Sequence, residues 1–335
     1  VTLGTATAST RGQRLRANGA LLLASALWGF AFVAQRVGAG HVGPLTFTGV
    51  RFALGALLLL PLIALRDHVR RVPRSSRRAA SRAVVVPGIV VGVLLTIAVN
   101  LQQAAMSDTP AGNAAFITGL YMVFVPVIAA FRGHRSSWAT VLGVVSSLAG
   151  LYLISVTDAL TIGRGEGLLI LSCIPWAVQI LMIEHYSPRL SALRFAVAQF
   201  ITCAVLSSVA ALVFERAPFT GLADAAVPLL YGGLVSVGIA YTLQVVGQRH
   251  ALATHASLIM ATESVFGALG GALLLGESMG LRGYLGAALM VAGIIVSQFG
   301  LPAAPLADLG DTAEPAPEPP PQDGTNLPPV LRHRP

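Results

Sequence analysis

The chain has 335 residues, 55% hydrophobic and only 11% charged, far below the roughly 25% charged residues usual in soluble domains, so a soluble globular protein is excluded. The net charge of +8 would suit nucleic acid in a soluble chain. Here the basic residues fall between apolar runs without zinc-finger or aromatic-interleaved patterning, and no nucleic-acid partner is expected. All 22 basic residues are Arg, so a Walker lysine is absent, no P-loop occurs, and the chain itself is not expected to hydrolyse ATP.

In chain order, residues 1–17 are polar and basic and predict a cytoplasmic N-terminal segment without a cleavable leader. Uncharged runs then occupy 17–35, 83–107, 109–131, 136–157, 167–183, 195–214, 225–248 and 283–301. Most are near the roughly 20 residues that cross a bilayer as a helix. Two further apolar stretches, 43–65 and 254–276, have the same length but each holds one charge, Arg51 and Glu263. The expectation is an all-α integral membrane protein with ten transmembrane helices. Residues 301–335, with "EPAPEPPPQDGTNLPP", are too rich in Pro and too poor in apolar residues to bury a core, and predict a disordered cytoplasmic tail. Cys173 and Cys203 sit in apolar runs and read as small core residues rather than a disulfide framework.

Arginine placement orients the helices. The segment 66–82 carries Arg66, Arg70, Arg71, Arg74, Arg77, Arg78 and Arg82, which by the positive-inside rule sets it in the cytoplasm as a loop. Alternation then puts Arg11, Arg14, Arg16, Arg132, Arg135, Arg189 and Arg249 on the same side, leaves Arg164, Arg216 and Arg282 outside, and places both termini in the cytoplasm.

Residues 111–155 laid on 254–298 without a gap bring Gly133 onto Gly276, Leu142-Gly143 onto Leu285-Gly286 and Ala149-Gly150 onto Ala292-Gly293. A second register brings Gly19 onto Gly167, Trp28 onto Trp176 and Arg51-Phe52 onto Gln199-Phe200. The unit is five spans, 18–157 and 165–300. Five is odd, so the second copy enters the membrane inverted, as in many secondary transporters.

The stretches "LLLASALWGFAFVAQRV", "PLTFTGVRFALGALLLL", "AGNAAFITGLYMVFVPVIAAF", "WATVLGVVSSLAGLYLIS" and "ASLIMATESVFGALGGALLLGESMGLRGYLGAALMVAGIIVSQ" resemble the EamA-type permeases of the drug/metabolite transporter superfamily. The resemblance covers about 18–299 and is most specific in the last stretch. One departure is Gly133-His134, where the family commonly has Gly-Glu. The resemblance implies a ten-helix transporter of small metabolites, often an exporter, working by alternating access around a central cavity.

Charges near the hydrocarbon centre cost roughly 2.5–3.5 kcal/mol on insertion scales, so they face a cavity or a partner. Glu263 lies about 13 Å along its helix from the inner end at about 1.5 Å per residue, near mid-membrane. Arg51 lies at a similar depth, and two roles stay open for them: an Arg51–Glu263 pair that locks helices, or a binding site for solute or proton. Their repeat counterparts, Gln199 and Leu120, are uncharged. Trp28 and Trp176 occupy matching places deep in their spans and are candidate cavity walls. Asn100, Gln102 and Gln103, and Tyr241, Gln244 and Gln248, offer hydrogen bonds either to a solute or between helices. Asn113, Tyr121 and Phe124 can share one helix face. The candidate cavity is thus Trp28, Arg51, Asn100, Gln103, Asn113, Tyr121, Trp176, Tyr241, Gln244 and Glu263. The Gly143/Gly150 and Gly286/Gly293 pairs read as helix-packing positions.

An enzyme would need clustered acids or His. His255 sits at a cytoplasmic edge and His134 in a loop, so no catalytic residue, metal site or cofactor is expected. The sequence predicts a secondary transporter in the cytoplasmic membrane that exports small amphipathic metabolites such as amino acids or drugs. A lipid-handling protein, flippase-like or a transferase, is the alternative. The expected partners are a small-molecule solute and membrane lipids, and a homodimer is compatible with them.

Overall fold

The structure, a computed structural model, describes residues 11–131, 133, 136–155, 163–276 and 280–299. The Pro-rich tail, His134 and Glu277 lie outside the described residues. Eight helical stretches among those described are long and apolar enough to cross a membrane, and two shorter apolar helices accompany them.

The first half comprises α1 (Arg11–Ala39), α2 (Pro44–Val69), α3 (Arg74–Ala83), α4 (Val85–Ala105), α5 (Ala111–Gly119), α6 (Tyr121–Phe131) and α7 (Trp138–Ser155). The second comprises α8 (Arg164–Tyr186), α9 (Ala192–Phe214), α10 (Ala226–Leu230), a π-helical segment Tyr231–Tyr241, α11 (Thr242–Gly247), α12 (Ala253–Met260), α13 (Glu263–Leu275) and α14 (Leu281–Gln298). α5 with α6, α10 through α11, and α12 with α13 each form one interrupted membrane-length stretch.

The arginine-rich segment 66–82, expected as a loop, is largely helical. α2 continues to Val69, and α3 begins at Arg74, directly after Val72-Pro73. Charges end an apolar run but do not end a helix; Arg and Ala are both strong helix formers, and Pro73 at the N-cap position starts the new one.

Two stretches break near their middles, α5/α6 at Leu120 and α12/α13 at Ala261-Thr262. A break in hydrocarbon is tolerated only if the freed backbone groups find partners. They do here. Ser264 Oγ donates to the Ala115 carbonyl (2.9 Å), Cys173 Sγ to the Ile117 carbonyl (3.2 Å), and Thr262 Oγ1 to the Ile259 carbonyl (2.6 Å). The Ser25 and Thr262 hydroxyls share a 2.5 Å hydrogen bond that ties α1 to the second break.

α7 and α14 pack backbone to backbone. A Cβ on Gly143 would lie 2.6 Å from the Gly293 carbonyl oxygen, and one on Gly150 would lie 2.4 Å from that of Gly286. Gly133 and Gly276, which match in the sequence register, have φ of 84° and 70°, a left-handed turn that costs Gly nothing. Large apolar side chains such as Leu57, Leu65, Leu212, Leu273 and Ile295 cover the outside. The interior holds an unusual share of polar groups, Arg51, Gln102, Gln103, Gln179, Gln244 and Glu263 among them. This is the distribution of a protein whose solvent is lipid.

Candidate functional site

α1 brings Trp28, Phe32 and Gln35 to one face, spaced as a helix requires for residues that share a side. α2 brings Arg51, α4 Gln102, the first break Thr118 and Tyr121, and α8 Trp176 and Ile180. The π-helical segment and α11 bring Ser236, Tyr241 and Gln244, and the second break brings Met260 and Glu263. Together they line one narrow cavity.

Its wall is aromatic. Tyr241 sits at the centre, edge-on to Trp28 with ring centroids 4.7 Å apart and nearly parallel to Trp176 at 6.0 Å. Phe52 and Phe200 pack behind it at 5.6 and 6.1 Å. The indoles are held by their N–H groups. Trp28 Nε1 donates to the Ser236 carbonyl (3.3 Å) and Trp176 Nε1 to Gln102 Oε1 (3.2 Å). Gln102 Nε2 in turn donates to Gln35 Oε1 (3.2 Å), and Gln244 Nε2 to Gln179 Oε1 (3.2 Å). The Ser236 carbonyl and the Gln102 amide therefore hold the two indoles by their N–H edges.

Two charges share this wall. Arg51 is 1% exposed, its guanidinium 5.6 Å from the Phe47 ring and 5.4 Å from the Phe52 ring, and its Nε has no protein acceptor. Glu263 is 4% exposed, and its Oε1 has no protein donor. The two do not form an ion pair, whose N···O distance would have to be 4.0 Å or less. Tyr241 is near enough to interact electrostatically with both, and Tyr121 with Glu263. The helix-locking Arg51–Glu263 contact left open by the sequence is absent. Arg51 Nε and Glu263 Oε1 thus leave one unused donor and one unused acceptor on the same aromatic cavity. Among the described residues, no three His, Cys, Asp or Glu side chains gather as a metal site.

The sequence profile of the EamA-like transporter family matches residues 15–156 and again 163–299. The chain belongs to that family. Similar proteins include an "Uncharacterized transporter" of Archaeoglobus fulgidus, 26% identical over 293 residues, covering 85% of this chain and 86% of the relative. "Uncharacterized transporter YoaV" of Bacillus subtilis is 23% identical, covering 82% and 93%. A solved crystal structure shares the fold with a TM-score of 0.67 at 20% identity, covering 87% of this chain and 98% of that one. The protein is thus a multi-pass membrane protein of a transporter family, and a small-molecule solute and a membrane environment follow from the membership.

Within this EamA-like chain, seven of the ten sequence candidates line the cavity: Trp28, Arg51, Tyr121, Trp176, Tyr241, Gln244 and Glu263. Three lie elsewhere. Asn100 donates to the Thr96 carbonyl and to Ser207 Oγ, both at 2.8 Å, and so joins α4 to α9. Gln103 Nε2 donates to the Gln35 carbonyl (3.2 Å), and Asn113 is exposed. Phe32, Gln35 and Ile180 were missed, although each lies one or two turns from a chosen Trp on its face. Thr118 and Met260 flank the helix breaks, and Ser236 reaches the wall through a π-helical turn, for neither of which the sequence carries a signal. His255, expected at an edge, is 5% exposed, with its Nε2 3.0 Å from the Ser297 carbonyl.

Proposed function

We propose that the chain is a secondary transporter, not an enzyme, that exports small amphipathic metabolites, amino acids or drugs, across the cytoplasmic membrane by alternating access. The observation that carries this is the cavity itself: unpartnered Arg51 and Glu263 atoms of opposite charge beside the Trp28, Tyr241 and Trp176 rings. A guanidinium suits a carboxylate, a carboxylate suits an ammonium, and aromatic faces suit a bulky apolar or aromatic body. A zwitterion with an apolar side chain offers all three.

Ten membrane helices in two inverted five-helix repeats, with both termini cytoplasmic, form the scaffold of this reading. The register that lays 111–155 on 254–298 lays Trp138–Ser155 on Leu281–Gln298 end to end, and places the α5/α6 and α12/α13 breaks within two residues of each other. The family profile also matches once in each half. Broken helices at the repeat interface are where such transporters bind solute, and rocking of one half against the other exposes the site to each side in turn. The cavity draws on helices of both halves within one chain, so the reading requires no homodimer.

The test is a solute panel in proteoliposomes, with and without an imposed pH gradient. Counterflow of zwitterionic amino acids with bulky side chains, exceeding that of empty liposomes, is the expected result. Movement of labelled lipid headgroups with no movement of any soluble solute would overturn it in favour of a lipid flippase.

A further inference from the structure

α2 and α9 lie side by side and are fastened at both ends. At one end the buried Asp67 carboxylate, 3% exposed, accepts a hydrogen bond from Arg194 Nη2, itself 8% exposed. At the other, Glu215 Oε1 accepts from the backbone N–H groups of Leu45 (2.7 Å) and Thr46 (3.2 Å), and Glu215 Oε2 from Thr46 Oγ1 (2.5 Å). Thr46 and Asp67 sit about 30 Å apart along α2 at about 1.5 Å per residue. The clasps therefore lie near opposite ends of the helix pair, which runs antiparallel.

The two clasps are the same contact made twice. The register in which Arg51-Phe52 falls on Gln199-Phe200 also lays Thr46 on Arg194 and Asp67 on Glu215. The acid that closes each helix thus holds, in the partner helix, the residue equivalent to the one its own counterpart holds. Gly43 belongs to the second clasp, because a Cβ there would lie 2.4 Å from the Glu215 carboxyl carbon. Each clasp joins the first half of the chain to the second. The first is an ion pair, supported by Arg77 Nη2 donating to the Asp67 carbonyl (3.3 Å). The second is a carboxylate on a helix N-terminus, which favours negative charge.

We propose that these clasps are the two gates of the transport cycle: Asp67–Arg194 closes the arginine-rich end, Glu215–Thr46 closes the other, and the cycle releases one while holding the other. The proposal rests on the alternating-access reading, since a cavity between two halves opens at one end only if the contacts joining the halves there part.

The experiment places a single reactive cysteine in the cavity wall, Met260→Cys in a Cys173→Ala, Cys203→Ala background, and measures its labelling by a membrane-impermeant thiol reagent. Right-side-out and inside-out vesicles separate the two faces. Asp67→Asn removes one charge of a buried hydrogen-bonded pair and should speed labelling about tenfold from the arginine-rich face alone. Glu215→Gln should do so from the opposite face alone. The exchanged pair Asp67→Arg with Arg194→Asp should return labelling toward the parental rate. Should Asp67→Asn not accumulate, Arg194→Lys reads the same gate. Parental rates from both faces in every variant, or equal acceleration from both, overturns the proposal. If the transporter reading itself is wrong, no solute moves in proteoliposomes whatever the labelling; if only the gates are wrong, wild-type flux persists and labelling is unmoved.

Discussion

Trp28 meets Tyr241 edge to face with ring centroids 4.7 Å apart, while Trp176 lies nearly parallel on Tyr241 at 6.0 Å. Aromatic pairs of this kind contribute roughly 0.5–1.5 kcal/mol beyond the area they bury. Trp28→Ala and Trp176→Ala should therefore raise the KM for bulky or aromatic solutes about tenfold and leave small solutes less affected. Trp176→Phe keeps a ring face but loses the bond to Gln102, so it should retain most of the transport. Equal kinetics for every solute in both Ala variants would make these rings packing residues.

The Arg51 and Glu263 variants should separate solutes by charge. Hydrogen bonds to charged groups contribute about 1.5–3 kcal/mol, so Arg51→Gln should weaken solutes bearing a carboxylate at least tenfold while sparing the matching amines. Glu263→Gln should do the reverse. Since the two side chains do not touch, the double variant should not recover folded protein lost in either single one. Flux measured with an imposed pH gradient adds a second readout. Loss of gradient acceleration in Glu263→Gln alone, with exchange preserved, would mean that this carboxylate carries a proton instead of an ammonium. Wild-type membrane levels and fluxes in all three would remove both residues from the site.

The glycine contacts predict a stability effect with no dependence on solute. Gly150→Leu pushes side-chain atoms into the Gly286 backbone, where even a Cβ comes to 2.4 Å. Overpacking of this kind costs about 1–3 kcal/mol, and the detergent-solubilised variant should melt about 2–10 °C below wild type. An unchanged Tm would show that α7 and α14 separate freely.

For topology, a reporter fused after Arg74 should be cytoplasmic, and one at Gly221 should be outside. Finding both on one side breaks the ten-span arrangement.

Much of this molecule was legible because lipid makes a simple demand: uncharged runs of sufficient length mark spans, and a charge within a run marks a place with a purpose. Arg51 and Glu263 were visible on that ground, and Trp28 and Trp176 by their matched positions. Asn100 and Gln103 were not separable from Gln102, since an amide facing a neighbouring helix and one facing a cavity are written alike. A face rule seeded on Trp28 would have added Phe32 and Gln35. Helix breaks were hidden because Leu120 and Ala261 are ordinary helix formers, and the backbone groups they free are satisfied by residues far away in sequence, Ser264 and Cys173 for the first. The α3 helix was obscured by the same charges from which its sidedness is predicted.

The π-helical segment Tyr231–Tyr241 makes the cavity wall sensitive to the pitch of its coil as well as to composition. A π turn holds an additional residue compared with an α turn. Tightening of one π turn to an α turn with no residue removed would rotate everything after it by roughly 100°. Tyr241 and Gln244 would swing off the wall together, although neither had been altered. Homologues that wind this segment as a regular α-helix with the same number of residues would present a different face to the same cavity, so a change of specificity can come from the pitch of one turn as readily as from a substitution at the wall.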